Sequence, residues 1–229
     1  MTTLITGANR GIGAALFDAF TASGEKTIGT SRQDDAHLPL DVTKRSSFVA
    51  LAAALNKAPI DTLICNAGVH NDKNFTLESN YTADIWADTF AANTTGVFFT
   101  IETLLPLIRK AKAGKIAIIS SQMGSNTLAT GGSYAYRASK AALNMLLKTA
   151  AIELRRTHPG AVVAALAVSS ERRSSNKSPT STADTNSRRN ISANALSMTA
   201  SASVITGSRV SIMWVLLSMS ETEIWLTSS

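Results

Sequence analysis

The stretch TTLITGANRGIGAALFDAF, residues 2–20, decides the fold. It reads as a short apolar strand, Thr2–Thr6, running straight into a glycine-bearing turn. A helix over Gly11–Ser23 follows, with Ile12, Ala15, Leu16, Ala19 and Phe20 on one face. A turn carrying Gly7, Gly11 and Gly13 between a strand and a helix start suits a phosphate-bearing ligand. Glycines allow a tight turn and close backbone approach, and the free N–H groups and positive dipole of the helix start attract an anion. The spacing is G-x-x-x-G-x-G rather than the commoner G-x-G-x-x-G. Such a turn alone also occurs as a plain structural connection, and its place on the first crossover is what points to a nucleotide.

Outward from this unit, strands and helices alternate. Lys26–Thr30 reads as strand two, His37–Leu40 as a short third and Asp61–Cys65 as a fourth. Thr43 is the expected N-cap of a helix over Lys44–Asn56. Helical stretches at Asn80–Phe90 and Ala91–Lys112 lead to strand five, Lys115–Ser121. The long helix Tyr136–Arg156, closed by Thr157-His158-Pro159-Gly160, leads to strand six, Ala161–Val168. This succession implies an α/β fold: parallel strands joined by right-handed crossovers in a doubly wound sheet, order 3-2-1-4-5-6. Residues 1–168 are expected to form one nucleotide-binding domain that also carries the chemistry.

Composition narrows the alternatives. With 229 residues, 45% hydrophobic and 17% charged, the chain can bury a core, which excludes global disorder and fibrous classes. No run of about 18 uncharged apolar residues suggests a spanning helix, and the first residues lack a signal-peptide pattern. The lone Cys65 cannot form an internal disulfide, so a cytoplasmic setting is expected. The net charge of +6 is spread rather than clustered, and aromatics do not interleave with the basic residues. Neither nucleic acid nor a membrane is an expected partner, and no metal site is expected.

Residues 167–229 differ in character. They hold 17 Ser and 7 Thr, with Gly207 and Pro179 their sole glycine and proline. Ser169–Asn190 has no apolar periodicity and reads as disordered, and only Ser211–Leu217 and Ile224–Leu226 are apolar. The expectation is a Ser/Thr-rich tail, disordered or poorly packed, over 169–229. The abrupt loss of turn chemistry and periodicity together points to a shifted reading frame near Ala167. Translating the encoding DNA in its other two frames tests that.

Strand two ends Gly29-Thr30-Ser31-Arg32 without the acid that often accepts from an adenosine ribose hydroxyl, the first acid being Asp34. Arg32, with Arg10 in the glycine turn, would instead pair with a ribose phosphate, favouring NADP(H) over NAD(H); two ordinary surface arginines are the plain alternative. Tyr136 and Lys140, four apart on a helix, share a face. A nearby ammonium favours the phenolate and so draws the tyrosine pKa down from about 10. Ser121 ends strand five at the carboxyl edge, where ligands bind in such sheets.

Taken together, the chain resembles the short-chain dehydrogenase/reductase family in its classical form. The residues that carry the resemblance are Thr6-Gly7-x-x-x-Gly11-Ile12-Gly13, Asp41-Val42, Cys65-Asn66-Ala67-Gly68, Asn93, Ile119-Ser120-Ser121 and Tyr136-x-x-x-Lys140, in family order over residues 1–166. The run Gly131–Asn144 looks like the C-factor and sniffer-type carbonyl reductase branch. The resemblance implies a Rossmann-like fold and NADP(H)-dependent interconversion of a small carbonyl compound and its alcohol. By the same resemblance Tyr136 would be the general acid, and Lys140 would lower its pKa and hold the nicotinamide ribose. Ser121 would polarise the carbonyl, and Asn93 would hold a water relaying protons to Lys140. Gly7, Asn9, Arg10, Gly11, Ile12, Gly13, Arg32, Asp41, Val42, Asn66, Ala67 and Gly68, together with Tyr136 and Lys140, would bind the dinucleotide, with Asp41 at the adenine amino group and Asn66-Ala67-Gly68 along the ribose.

Tyr134 is set aside because its fourth neighbour is Ala138, and Ser121 is preferred to Ser120 by strand alternation and the family's second serine. Cys65, in place of the usual Asn, reads as a buried strand-end residue. The chain departs from the family after strand six. The usual Pro-Gly turn, the nearby Thr for the carboxamide and the seventh strand are unrecognisable, which leaves strand six an edge and makes the family's usual homo-oligomer doubtful. A nucleotide-binding signalling protein of the C-factor kind, and a catalytically impaired product, stand as alternative functions.

Overall fold

A computed structural model describes residues 1–33 and 36–168. Asp34, the Ser/Thr-rich segment with its two apolar runs, the seventh strand and most of the proposed frame change lie outside the described residues. Six parallel strands form one sheet: β1 (Thr2–Thr6), β2 (Lys26–Ser31), β3 (Leu38–Pro39), β4 (Thr62–Cys65), β5 (Lys115–Ser121) and β6 (Val162–Val168). Their order is β3-β2-β1-β4-β5-β6, as expected. The chain reverses direction across the sheet between β1 and β4, which opens a crevice at their carboxyl ends. β6 pairs with β5 along its full length, from Lys115 opposite Val162 to Ser121 opposite Val168.

Strand alternation sorts the core onto two faces. Leu4, Leu63, Ile116 and Ile118 face α2 (Arg45–Ala54), α4 (Gly96–Ile108) and α5 (Tyr134–Thr157), meeting Phe48, Leu51, Leu104, Leu143 and Leu147. Ile5, Ile64, Ala117 and Ile119 face the other way, against Leu16 and Phe20 of α1 (Gly11–Ala22). Within the continuous helical stretch Ala83–Ile108, one 18-residue window has the length and mean hydropathy, 1.2, of a bilayer-crossing helix. Half of it is buried inside this fold, as expected of a core helix.

Several boundaries differ from the sequence reading, each for a local reason. Thr43 does not cap α2: its hydroxyl donates to Asp41 Oδ1 at 2.7 Å, and Lys44 takes the N-cap place without a side-chain bond. α3 (Ala83–Phe90) starts later than Asn80 because Thr82 caps it, accepting from the Ile85 N–H. The next stretch is not one helix. A π-turn, Ala91–Thr95, precedes α4, which stops at Ile108 because the following N–H groups tighten onto Leu107 and Ile108. β3 shrinks to two residues. α5 begins two residues early, at Tyr134, after Ser133 in a left-handed conformation (φ 49°).

Candidate active site

The turn after β1 builds the first wall. Gly7 and Gly11 have φ of 67° and 57°, a left-handed region that glycine enters without steric cost. Asn66, just past β4, ties the turn down: its Nδ2 donates to the carbonyls of Thr6 and Gly7, each at 3.0 Å. Thr6 Oγ1 in turn accepts from the N–H groups of Asn66 (3.0 Å) and Ala67 (3.1 Å). Gly13 sits beneath this knot, where a Cβ would overlap the Gly7 carbonyl oxygen and stand 2.5 Å from Asn66 Nδ2. Arg10, at the N-cap of α1, makes no side-chain capping bond, which leaves the positive helix end toward the crevice.

That crevice has a volume of about 440 Å³. Gly7, Asn9, Arg10, Gly11, Ile12, Arg32, Asp41, Val42, Asn66, Ala67 and Gly68 all line it, so of the residues named for the dinucleotide along this turn and the strand ends only Gly13 lies behind the wall. Arg10 and Arg32 are exposed at its rim. Burial alone would raise the Asp41 carboxyl, but the hydroxyl and N–H of Thr43, with Lys44 and Arg32, hold it below the usual carboxylate range. Ser31, Leu40, Thr43, Val69 and Ala92 also line the crevice, where the sequence gives no sign of them because none belongs to a motif.

A second cavity, about 570 Å³, opens along the same wall, and Ile12, Asn66, Gly68 and Val69 belong to both. Tyr136, Lys140 and Ser121 meet there, with Ser120, His70, Lys73, Gln122 and Met123 around them. Tyr134 does not line it. Its ring turns outward against Tyr81, edge to face at 6.0 Å. Ser120 spends its hydroxyl on Asn144 of α5 at 2.7 Å, whereas Ser121 Oγ accepts only the Met123 N–H, at 3.2 Å, and also hydrogen-bonds toward the phenol. Cys65 is buried at the end of β4, and burial pushes its thiol up to about 12.

Lys140 differs from the reading of the spacing. Its ammonium donates to the Ile119 carbonyl at 2.9 Å and stands 5.7 Å from the Tyr136 ring centroid. Burial presses it down to about 8. The Tyr136 phenol is raised above its ordinary value, not lowered: burial raises it, the Ser121 hydrogen bond lowers it, and the charge of Asp72 raises it. Desolvation outweighs the Ser121 hydrogen bond here, and the ammonium, turned to the Ile119 carbonyl, is not among the groups that shift the phenol.

Asn93 is fully buried in the π-turn. Its Oδ1 accepts from Val69 N–H at 2.8 Å, and its Nδ2 donates to the Val69 carbonyl (2.8 Å) and to Ser139 Oγ (3.0 Å). Both amide hydrogens are thus engaged within the protein. The sequence reading missed Asp72 and His70, which sit behind Tyr136. Asp72 meets the start of α5 across 63 residues of chain, a pairing that no local spacing announces.

Known proteins resemble the chain in sequence and in fold. The family described as short chain dehydrogenase matches residues 1–172. The 3-oxoacyl-[acyl-carrier-protein] reductase of Escherichia coli is 30% identical over 166 residues, covering 66% of each chain. The match therefore spans just under two thirds of that relative's length. The carbonyl reductase Sniffer of Caenorhabditis elegans superposes with a TM-score of 0.64 at 28% identity, over 72% of this chain and 82% of its own. A short-chain dehydrogenase/reductase of Burkholderia multivorans with bound NADP gives a TM-score of 0.66 at 30% identity, over 74% and 80%.

Proposed function

Because the chain belongs to the short-chain dehydrogenase family, whose members are oxidoreductases, we propose that it reduces a small aldehyde or ketone with NADPH. The observation that carries the reading is the shared wall: the phenol, the ammonium and the serine hydroxyl meet in a cavity continuous with the glycine-lined crevice.

The residues fit a dinucleotide phosphate. At Gly11 a Cβ would meet nothing within 4 Å, so the turn leaves room for a group to lie against the backbone. The uncapped start of α1 and the arginines at the rim offer N–H donors and positive charge to phosphate. The Burkholderia relative with bound NADP supports the same cofactor. When bound, the reduced nicotinamide supplies a hydride. The chain's own part is to hold the carbonyl oxygen with Ser121 and to deliver a proton to it from Tyr136 Oη. Its raised pKa keeps the phenol protonated at neutral pH, which suits a donor in the reducing direction. Lys140 steadies the charge that develops on the phenol oxygen as its proton passes to the carbonyl oxygen. Asn93 holds the loop after β4 against α5 through its side chain.

NADPH oxidation with a panel of small aldehydes and ketones tests the reading, and no oxidation with any of them would overturn it. Cofactor choice has its own test. Arg32→Ala should weaken NADPH binding by about tenfold or more, the size of a lost charge-assisted pair, and leave NADH nearly unaffected. Equal losses for both would remove the phosphate role from Arg32. The reduction rate should also fall as the pH rises through about 8, where Lys140 gives up the charge that helps the phenol release its proton. A flat rate across that range would take Lys140 out of the chemistry.

A further inference from the structure

Asp72, in the loop after β4, is a fully buried carboxylate that the proposed chemistry does not use. Its Oδ2 gathers the N–H of Ala135 (2.8 Å), the N–H of Tyr136 (3.3 Å) and the phenol of Tyr81 (3.2 Å). Its Oδ1 is buried without any hydrogen-bond partner. A bare buried carboxylate oxygen is costly, so a donor that reaches this one gains by pairing with it. His70 Nε2 stands 3.8 Å from it and meets Ser133 Oγ at 3.0 Å. The same imidazole lies flat on the Tyr136 ring, centroids 4.0 Å apart and planes 17° apart. One ring thus touches both the buried carboxylate and the phenol.

Resting on the reading of Tyr136 as the proton donor, we infer that Asp72 and His70 are positioning residues for it. Asp72 pins the helix turn that carries the phenol, and the proton on His70 decides how much of the carboxylate's charge the phenol feels. With His70 neutral, the negative charge opposes phenolate formation and keeps the proton on Tyr136. With His70 protonated, the imidazolium pairs with Oδ1, cancels that charge and lays a cation on the phenol face, so Tyr136 becomes the stronger acid. The groups facing this pair are Lys73 on the same loop, Arg137 and Lys140 on α5, Tyr81 before α3, and Ser121 at the end of β5. Burial holds His70 below its ordinary value; Asp72 opposes that shift, and Lys73 and Arg137 add to it. The change in Tyr136 therefore falls on the acid side of neutrality.

The chain has three histidines and three tyrosines, so NMR titration of the full chain can follow each one. Asp72→Asn keeps an acceptor oxygen for the N–H groups of α5 and removes the charge. The expected result is that His70 and Tyr136 both bind their protons about tenfold more weakly, the effect of losing a nearby negative charge. Unmoved midpoints at His70 and Tyr136 overturn the inference. His70→Phe keeps a ring on the phenol, and it carries the test if the first variant fails to fold. Its reduction rate should lack the rise through the His70 midpoint toward acid pH that is expected of the unaltered protein, and a rise that persists overturns the inference. If the unaltered protein reduces no carbonyl, the proposed function fails, yet the two titrations still decide the fate of the pair.

Discussion

Tyr136→Phe should lower carbonyl reduction by about 10²- to 10⁴-fold, the range ascribed to a positioned proton donor, and leave NADPH binding close to its original strength. The substitution removes one oxygen and little else. The ring keeps its place on His70, since stacking needs no hydroxyl. The backbone N–H of residue 136 still donates to Asp72, so the helix start keeps its anchor. The crevice wall formed by Gly7, Gly11 and Arg32 does not involve the phenol. Measured together, kcat/KM for a reactive carbonyl and the Kd for NADPH separate chemistry from binding. A variant as active as the original would take the phenol out of the reaction. One that lost binding and turnover alike would show that the ring matters for shape instead.

Gly13→Ala should be the most damaging single methyl in the described chain. The added carbon would overlap the Gly7 carbonyl oxygen and crowd Asn66 Nδ2, the donor that ties Thr6 and Gly7 together. Either the turn opens or Asn66 swings away and leaves two carbonyls without their donor. Overpacking costs about 1–3 kcal/mol, and a stranded buried hydrogen-bonding group adds about 1–3 kcal/mol. Against a total stability of about 5–15 kcal/mol, that is a large fraction. Urea unfolding should show the loss, and NADPH affinity should fall because the cradle itself has moved. Gly11→Ala is the control for the unfolding measurement alone, since the cofactor is proposed to lie against Gly11: its Cβ meets nothing in the chain within 4 Å, so only the backbone cost of a φ of 57° bears on stability, about 1–2 kcal/mol. Equal damage from the two would mean that packing beneath the turn is not what Gly13 provides.

Sequence legibility followed the range of the interactions. The strands, the glycine turn and the helix face shared by Tyr136 and Lys140 all depend on short spacings or on alternation, and a reader of the chain can find them, whereas the strand order, which pairs Leu4 with Leu63, follows from the fold that the family resemblance implies. The π-turn at Ala91–Thr95 was read as ordinary helix because its composition carries no breaker. The acidity of Tyr136 was misjudged because the spacing reveals the neighbouring lysine but not how deeply the phenol is buried, nor the carboxylate behind it. Asp72 itself looks like any loop acid in the sequence, and only the folded chain brings it to the start of α5. Where the cap of a helix comes from a distant loop, as here, the helix start shifts without local warning, which is why α5 begins at Tyr134.

The amide of Asn93 clasps the loop beyond β4 at Val69 and holds α5 at Ser139, while Ser139 Oγ donates to the carbonyl of Tyr136. Thr94 adds a second tie to the Ser139 carbonyl. The floor of the nucleotide crevice and the helix bearing the phenol are therefore one mechanical part. Any widening of the crevice drags Tyr136 with it, so under the proposed function the alignment between the two reactants is inherited from the scaffold and does not have to be found again at each turnover.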